Sequence, residues 1–93
     1  MNEKKLKEIL RLHSMWISNR PGGEWANLSG ADLSHANLIG ANLRWADLSY
    51  SNLSFSDLRD ADFRLANLTE ANFTGSELTG ADLSGANFSE VKR

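Results

Sequence analysis

Between residues 26 and 90 the sequence repeats every five residues without interruption. The central residue of each repeat, here position i, is always Leu or Phe. Position i−1 is Asp or Asn except at Glu77, and position i−2 is Ala except for Ser51, Ser56 and Ser76. A period of five matches neither the 3.6-residue period of a helix nor the two-residue period of a flat strand.

A chain with this period has to turn once in every repeat. In an extended segment, residues two apart point the same way, so i and i−2 both face inward. The small residue of the next repeat, at i+3, also faces inward. Positions i+1 and i+2 between the two inward residues then both face outward, which is possible only if the chain turns there. Successive turns in the same sense wind the chain into a solenoid. The predicted core consists of the thirteen i residues: Leu28, Leu33, Leu38, Leu43, Leu48, Leu53, Leu58, Phe63, Leu68, Phe73, Leu78, Leu83 and Phe88.

The stretch "ANLSG ADLSH ANLIG ANLRW" resembles the pentapeptide-repeat family, whose motif is A-(D/N)-L-x-x. The resemblance covers residues 26–90. It implies an all-β solenoid of bacterial type, a right-handed quadrilateral β-helix of about three coils. Periodicity alone leaves three or four sides open. The resemblance implies four, and a twenty-residue coil also places Phe63, Phe73 and Phe88 in different interior columns.

The first 25 residues read as a separate element, an N-terminal α-helical cap and its junction. In a helix over residues 3–18, five large apolar residues and one histidine recur at i, i+3, i+4, i+7, i+10 and i+11, which places them on one face. Asn2 suits the N-cap, and Pro21, Gly22 and Gly23 break the chain after the helix. We expect the helix to cover the first coil, with His13 buried against an open backbone group. The predicted cap face is Leu6, Ile9, Leu10, His13, Trp16 and Ile17.

The basic character of this helix leaves an alternative, a helix that binds a membrane surface or a partner. At the other end, residues 91–93 form a short charged tail. The last coil would then present an apolar ring of Phe73, Leu78, Leu83 and Phe88. A homodimer through this coil is the expected consequence.

The i+2 positions are the corners of the coil, and one column of them is unusual. At twenty-residue spacing, Trp25, Trp45 and Leu65 fall in line; these three residues are called the apolar stripe. Arg44 and Arg64 lie beside it. Aromatic residues with Arg are typical of protein interfaces. The alternative is that Trp25 packs under the helix while Trp45 is a lone exposed ring.

The sequence indicates no catalytic, metal or cofactor site, and we do not expect an enzyme. The pairs Asp57 with Glu77 and Asp62 with Asp82 share outward columns, where two carboxylates could bind a cation or transfer protons. Arg59 and Arg64 lie beside them, however, and a convex face has no pocket that excludes water. We therefore interpret these carboxylates as a solvated surface. There is no Cys.

The sequence favours a non-enzymatic structural or protein-interaction module whose partner is another protein. The net charge is −2, and residues 26–90 hold nine acidic residues against three Arg, so nucleic acid is not expected as a partner. No apolar run of signal-peptide type occurs, so we expect a cytoplasmic protein that does not bind membranes. The resemblance implies one alternative, a DNA-mimicking modulator of a type II topoisomerase, although Arg44, Arg59 and Arg64 interrupt the acidic faces.

Overall fold

The computed structural model describes residues 1–93: one helix followed by a stack of regular coils. The helix, α1, spans Glu3–Ile17, one residue shorter than the sequence predicts. The coils are joined by ten isolated parallel bridges, each between residues twenty positions apart, from Asn27 with Asp47 to Asn72 with Lys92. Four repeats therefore separate one coil from the next, and the predicted solenoid is confirmed.

The coils contain no strand longer than a single bridge, so the expected all-β class applies only loosely. The reason is local: the chain is extended for only three residues before the next turn begins. Each turn is closed by a hydrogen bond from the i−2 N–H to the preceding i carbonyl, such as Ala46 N to Leu43 O at 3.1 Å. All thirteen corner residues have positive φ, between 57° and 78°. A positive φ at the third position is typical of a type II turn.

The interior follows the predicted alternation. Nine consecutive i residues, Leu28 to Leu68, are at most 1% exposed. The rings of Phe63 and Phe73 meet edge to face across the axis, with centroids 6.4 Å apart. The serines at i−2 are accommodated because each hydroxyl donates to the carbonyl that closes its own turn, as Ser51 Oγ does to Leu48 O at 2.7 Å. None of the Asp, Asn or Glu residues at i−1 is buried.

The last coil is only partly covered. Leu78 and Leu83 are half-buried, and Phe88 is 45% exposed. Together with neighbouring residues they enclose a cavity of about 140 Å³ that opens at this end. Its lining also includes Val91 and Arg93, from the segment that the sequence suggests is a tail. Leu78, Leu83 and Phe88 of the predicted apolar ring are therefore partly at the surface, whereas Phe73 is buried.

Helix α1 begins and ends with specific backbone contacts. The Asn2 side chain accepts a hydrogen bond from Lys5 N, as an N-cap does. At the other end Asn19 has φ 55°, and Arg20 N donates to Met15 O at 2.9 Å. These are the features of a Schellman motif, with Asn19 in the position that Gly often takes. Gly23 then passes directly over the helix, where a Cβ would lie 2.3 Å from Trp16 N.

The helix lies across the first coil through its predicted face. Leu6 and His13 are buried, and Ile9 and Leu10 pack against the core while Ile17 is half-buried. Trp16 differs from the expectation, because it is 42% exposed and stacks on the His13 ring at 5.7 Å instead of entering the core. Helix α1 is neither long nor apolar enough to cross a membrane.

His13 connects the helix to the open edge of the first coil. Its Nδ1 accepts a hydrogen bond from Ala26 N at 3.0 Å, and its Nε2 lies 2.7 Å from Arg44 O. This pair of contacts requires the neutral ring with the proton on Nε2. Burial lowers the pKa of His13, and the bond to the Arg44 carbonyl opposes that effect only in part.

Our first prediction concerns the core. Leu53→Ala should lower the free energy of unfolding by about 2–5 kcal/mol, because the coils above and below hold their positions and leave a cavity. Asp47→Ala removes the hydrogen bonds that Ser49 N and Oγ donate to a half-buried carboxylate but opens no cavity in the core, and it should cost about 1 kcal/mol. Urea unfolding measures both values, and equal losses would contradict the inside and outside assignment.

Our second prediction concerns acid stability. Because the native pKa of His13 is below the unfolded value of 6.5, stability is complete above pH 6.5 and falls as the pH drops toward the native pKa. The slope is at most about 1.4 kcal/mol per pH unit, the limit for a single titrating group. The six acidic groups with lowered pKa values titrate below this window: Glu8, Asp32, Asp57, Asp62, Glu77 and Asp82.

Thermal unfolding between pH 7.5 and 5 measures this slope. His13→Gln, which keeps an amide donor and acceptor without a titrating ring, should flatten it. His35→Asn removes the other histidine and should leave the slope unchanged. A His13→Gln variant with the wild-type pH profile would contradict the prediction.

Candidate interaction surface

The corners are the positions where the side chain is least constrained by the fold. Five of the thirteen are Gly, and the other eight are larger residues held at positive φ. Six of those eight follow one another, at Trp45, Tyr50, Phe55, Asp60, Leu65 and Glu70. A left-handed backbone conformation costs a non-glycine residue about 1–2 kcal/mol. Strained residues of this kind are concentrated at functional sites, so these corners are candidates for an interaction surface.

Corner side chains lie along their columns toward the next coil. The ring of Phe55 covers Gly75, where a Cβ would approach two ring carbons to 2.5 Å, and Leu65 covers Gly85 in the same way. The indole of Trp25 donates from Nε1 to Trp45 O at 2.8 Å. The side chains of Trp25, Phe55 and Leu65 therefore lie over the corner of the following coil.

The structure brings the apolar stripe together as the sequence reasoning places it. Trp25, Trp45 and Leu65 occupy consecutive positions of one column, and they are 43%, 51% and 44% exposed. Trp25 follows the junction after α1 and reaches the stripe through its hydrogen bond to Trp45. The alternative, that Trp25 packs under the helix and Trp45 is a lone ring, agrees less well with the 43% exposure of Trp25 and with its hydrogen bond to Trp45.

Sequence reasoning left Tyr50, Phe55 and His35 out of the candidate surface. Phe55 stacks on His35, with centroids 5.3 Å apart and planes 14° apart. Tyr50 lies in a column with Glu70, and that carboxylate raises the pKa of the Tyr50 phenol. Tyr50 and Phe55 are both more than half exposed. The signal that could have identified them is the run of three aromatic corners, Trp45, Tyr50 and Phe55.

The arginines beside the stripe differ in their partners. Arg64 donates to both oxygens of Asp62, from Nε at 2.9 Å and from Nη2 at 2.7 Å. These hydrogen bonds lower the pKa of Asp62. The Arg44 side chain has only a distant ion pair with the same carboxylate, at 3.9 Å.

The two carboxylate pairs lie as the sequence places them, one coil apart. Backbone β-bridges join Asp57 to Glu77 and Asp62 to Asp82. Arg59 donates to both oxygens of Asp57, and this contact lowers the pKa of that carboxyl. Thr79 hydrogen bonds are the main reason that the pKa of Glu77 is lowered. No group of three or more His, Cys, Asp or Glu residues is arranged to hold a metal ion.

Comparison with solved structures identifies similar folds. A pentapeptide repeat protein from the thylakoid lumen of Arabidopsis thaliana is 36% identical over 71% of this chain, with a TM-score of 0.70. The protein Rfr23 from the cyanobacterium Cyanothece 51142 is 31% identical over 72%, with a TM-score of 0.56. The matches cover 46% and 52% of those two proteins, so the chain spans about half of their length.

The sequence pattern of pentapeptide repeats matches this chain in eight copies, over residues 26–64 and 65–92. A search of curated proteins finds no match. The matched residues make up most of the chain, and the twenty-residue coil and the inward Leu and Phe residues agree with the match. The chain therefore belongs to the pentapeptide-repeat family.

Proposed function

We propose that this chain is a non-enzymatic protein-interaction module, built on a right-handed quadrilateral β-helix of about three coils, that binds another protein through the apolar stripe. The observation that carries the proposal is the exposure and the backbone conformation of Trp45 and Leu65. Both are about half exposed, and both have positive φ at corners where other repeats carry Gly. Such side chains add backbone strain and bury little surface within the chain, so a partner that covers them supplies a reason for their presence.

The surroundings of the stripe have the composition of a binding surface. Adjacent corners add Tyr50 and Phe55, and the flat face between Trp45 and Tyr50 presents Asn, Asp and Ser side chains. Rigid aromatic rings combined with short polar side chains and Arg are typical of protein-binding surfaces. An aromatic side chain has only two rotatable bonds, so binding would immobilise few free rotors.

The third prediction tests this surface. Trp45→Gly should abolish retention of a partner from native host lysate, because it removes the central ring of the stripe. It should change the free energy of unfolding by no more than about 1 kcal/mol, since relief of the left-handed strain offsets the lost contacts. Affinity capture with quantitative mass spectrometry measures the first effect, and urea unfolding the second.

Asp60→Gly is the matched control, because Asp60 is also a strained corner, with φ 59°, but lies outside the stripe. It should retain every protein that the wild type retains. If Trp45→Gly retained the same proteins as Asp60→Gly, the stripe would not be the binding surface.

We also propose that the chain forms a homodimer through its last coil. The exposed edge of this coil is self-complementary. On either side of Glu77, for example, Leu78 N and Ser76 O have no backbone partner. Antiparallel pairing about a two-fold axis would satisfy both groups in both copies. It would also cover Phe88 and close the cavity of about 140 Å³.

The fourth prediction follows from this arrangement. Light scattering on the 93-residue chain at tens of micromolar should give the mass of a dimer, and Phe88→Asp should give that of a monomer. Phe88→Leu, which keeps an apolar side chain at the same point, should remain dimeric. A monomeric wild type would refute the homodimer and leave the stripe untouched.

The DNA-mimicry alternative has less support. A DNA mimic needs continuous acidic faces, and here Arg59 and Arg64 neutralise Asp57 and Asp62 through paired hydrogen bonds. The similarity to QnrB1, a fluoroquinolone resistance protein, is 18% identity at a TM-score of 0.23, which is too low to support a shared function. A gyrase supercoiling assay separates the two functions, since an interaction module of the proposed kind leaves the reaction unchanged.

A further inference from the structure

Arg44 is the arginine of the coils whose side chain makes no hydrogen bond. Arg59 and Arg64 occupy equivalent i+1 positions, and each donates two hydrogen bonds to the Asp two residues earlier. The repeat that contains Arg44 has Asn42 at that place. The Asn42 oxygen accepts from Arg44 N at 3.2 Å and offers no charge to the guanidinium.

The neighbouring coil does not supply the missing partner. Arg64 donates to both oxygens of Asp62, whereas the Arg44 Nε lies 3.9 Å from Oδ2, too far for a hydrogen bond. This Nε atom is shielded from solvent and has no hydrogen-bond partner. An unsatisfied buried donor on a charged group is costly and rare in native structures. The rest of the side chain is 35% exposed and open to an incoming group.

The backbone around Arg44 is held on both sides. His13 contacts the Arg44 carbonyl, and the Trp25 indole donates to the carbonyl of the next residue, Trp45. The guanidinium therefore projects from a fixed position at the border of the apolar stripe. Its two terminal nitrogens form a planar pair of donors that matches the two oxygens of a carboxylate.

We infer that Arg44 binds a carboxylate of the partner while the apolar stripe receives the side chain next to that carboxylate. This inference rests on the proposed function, and it defines the partner segment as an acidic peptide in which an Asp, a Glu or a chain-terminal carboxylate adjoins a large apolar residue. A nucleic acid phosphate would offer the same charge. However, the nine acidic residues of the repeats repel a polyanion, whereas a short peptide brings one carboxylate to one arginine.

The fifth prediction is tested with a random heptapeptide library displayed on phage and selected on the immobilised 93-residue chain. Selected sequences should be enriched in Asp or Glu beside Trp, Phe or Leu. A synthetic peptide of the enriched sequence should then bind at least about tenfold more weakly to Arg44→Gln, as expected for a lost charge-assisted hydrogen-bond pair. Replacing the acid of the peptide by its amide should cause the same loss, and the two changes together should add little more.

Arg59→Gln is the matched control, because it removes an arginine from an equivalent position on another face, and it should bind the peptide as the wild type does. Melting temperatures show that each variant is folded. Arg44→Lys provides a second variant, which keeps the charge and should recover only part of the affinity.

The outcomes separate this inference from the proposed function. Selected peptides that need Trp45 but carry no acid, or that bind Arg44→Gln as well as wild type, would overturn the role of Arg44 and keep the stripe. Failure to select any peptide that needs Trp45 would overturn both. Binding of a single-stranded oligonucleotide that depends on Arg44 and displaces the peptide would overturn the assignment of an acidic peptide.

Discussion

The structure depends on how each five-residue repeat satisfies its backbone N–H groups. In residues 46–50 the first N–H closes the turn, the second donates to the preceding coil, and the third and fifth donate to the following coil. The fourth, Ser49 N, donates to the side chain of Asp47 at 3.0 Å. That last bond explains the Asp or Asn at i−1, since a short side-chain oxygen can reach the N–H two residues later. The same contact occurs in every repeat, and Glu77 makes it with its longer side chain.

This hydrogen-bond scheme determines where sequence variation is tolerated. Positions i−2 and i lie in a narrow interior, and i−1 provides a necessary acceptor, so these three are restricted. The corner at i+2 contributes only its backbone, provided that it can adopt positive φ. Side chains that serve a purpose other than folding can therefore accumulate at corners, where the regular ladder of hydrogen bonds offsets their strain. The corners from Trp45 to Glu70 are such a case. We interpret Trp45 and Leu65 among them as parts of the interaction surface.

The repeat, the inward residues and the cap helix could be predicted from the sequence because each depends on local order along the chain. The twenty-residue coil needed the family resemblance, since three and four sides give the same local pattern. What could not be predicted depends on neighbours twenty residues away or on exact distances. The absence of a hydrogen bond from the Arg44 side chain depends on such a distance, the 3.9 Å between its Nε and Asp62 Oδ2 in the following coil. Similarly, the exposure of Trp16 follows from the way that His13, not Trp16, fills the contact with the first coil.

The cap helix and the candidate surface are parts of one connected unit. His13 fixes the Arg44 carbonyl from the helix side, while Trp25, at the end of the junction, fixes the carbonyl of Trp45. The carbonyls of Arg44 and Trp45 are thus both bound by the segment that precedes the repeats. Protonation of His13 would remove its acceptor for Ala26 N, and the helix would lose one of the two bonds that hold it at this point. The other contact edge of this backbone is held by the following coil, through bonds such as Trp45 N to Arg64 O at 3.0 Å. The helix and junction therefore add a second set of contacts to Arg44 and Trp45, on the side of the first coil that has no preceding coil to bind.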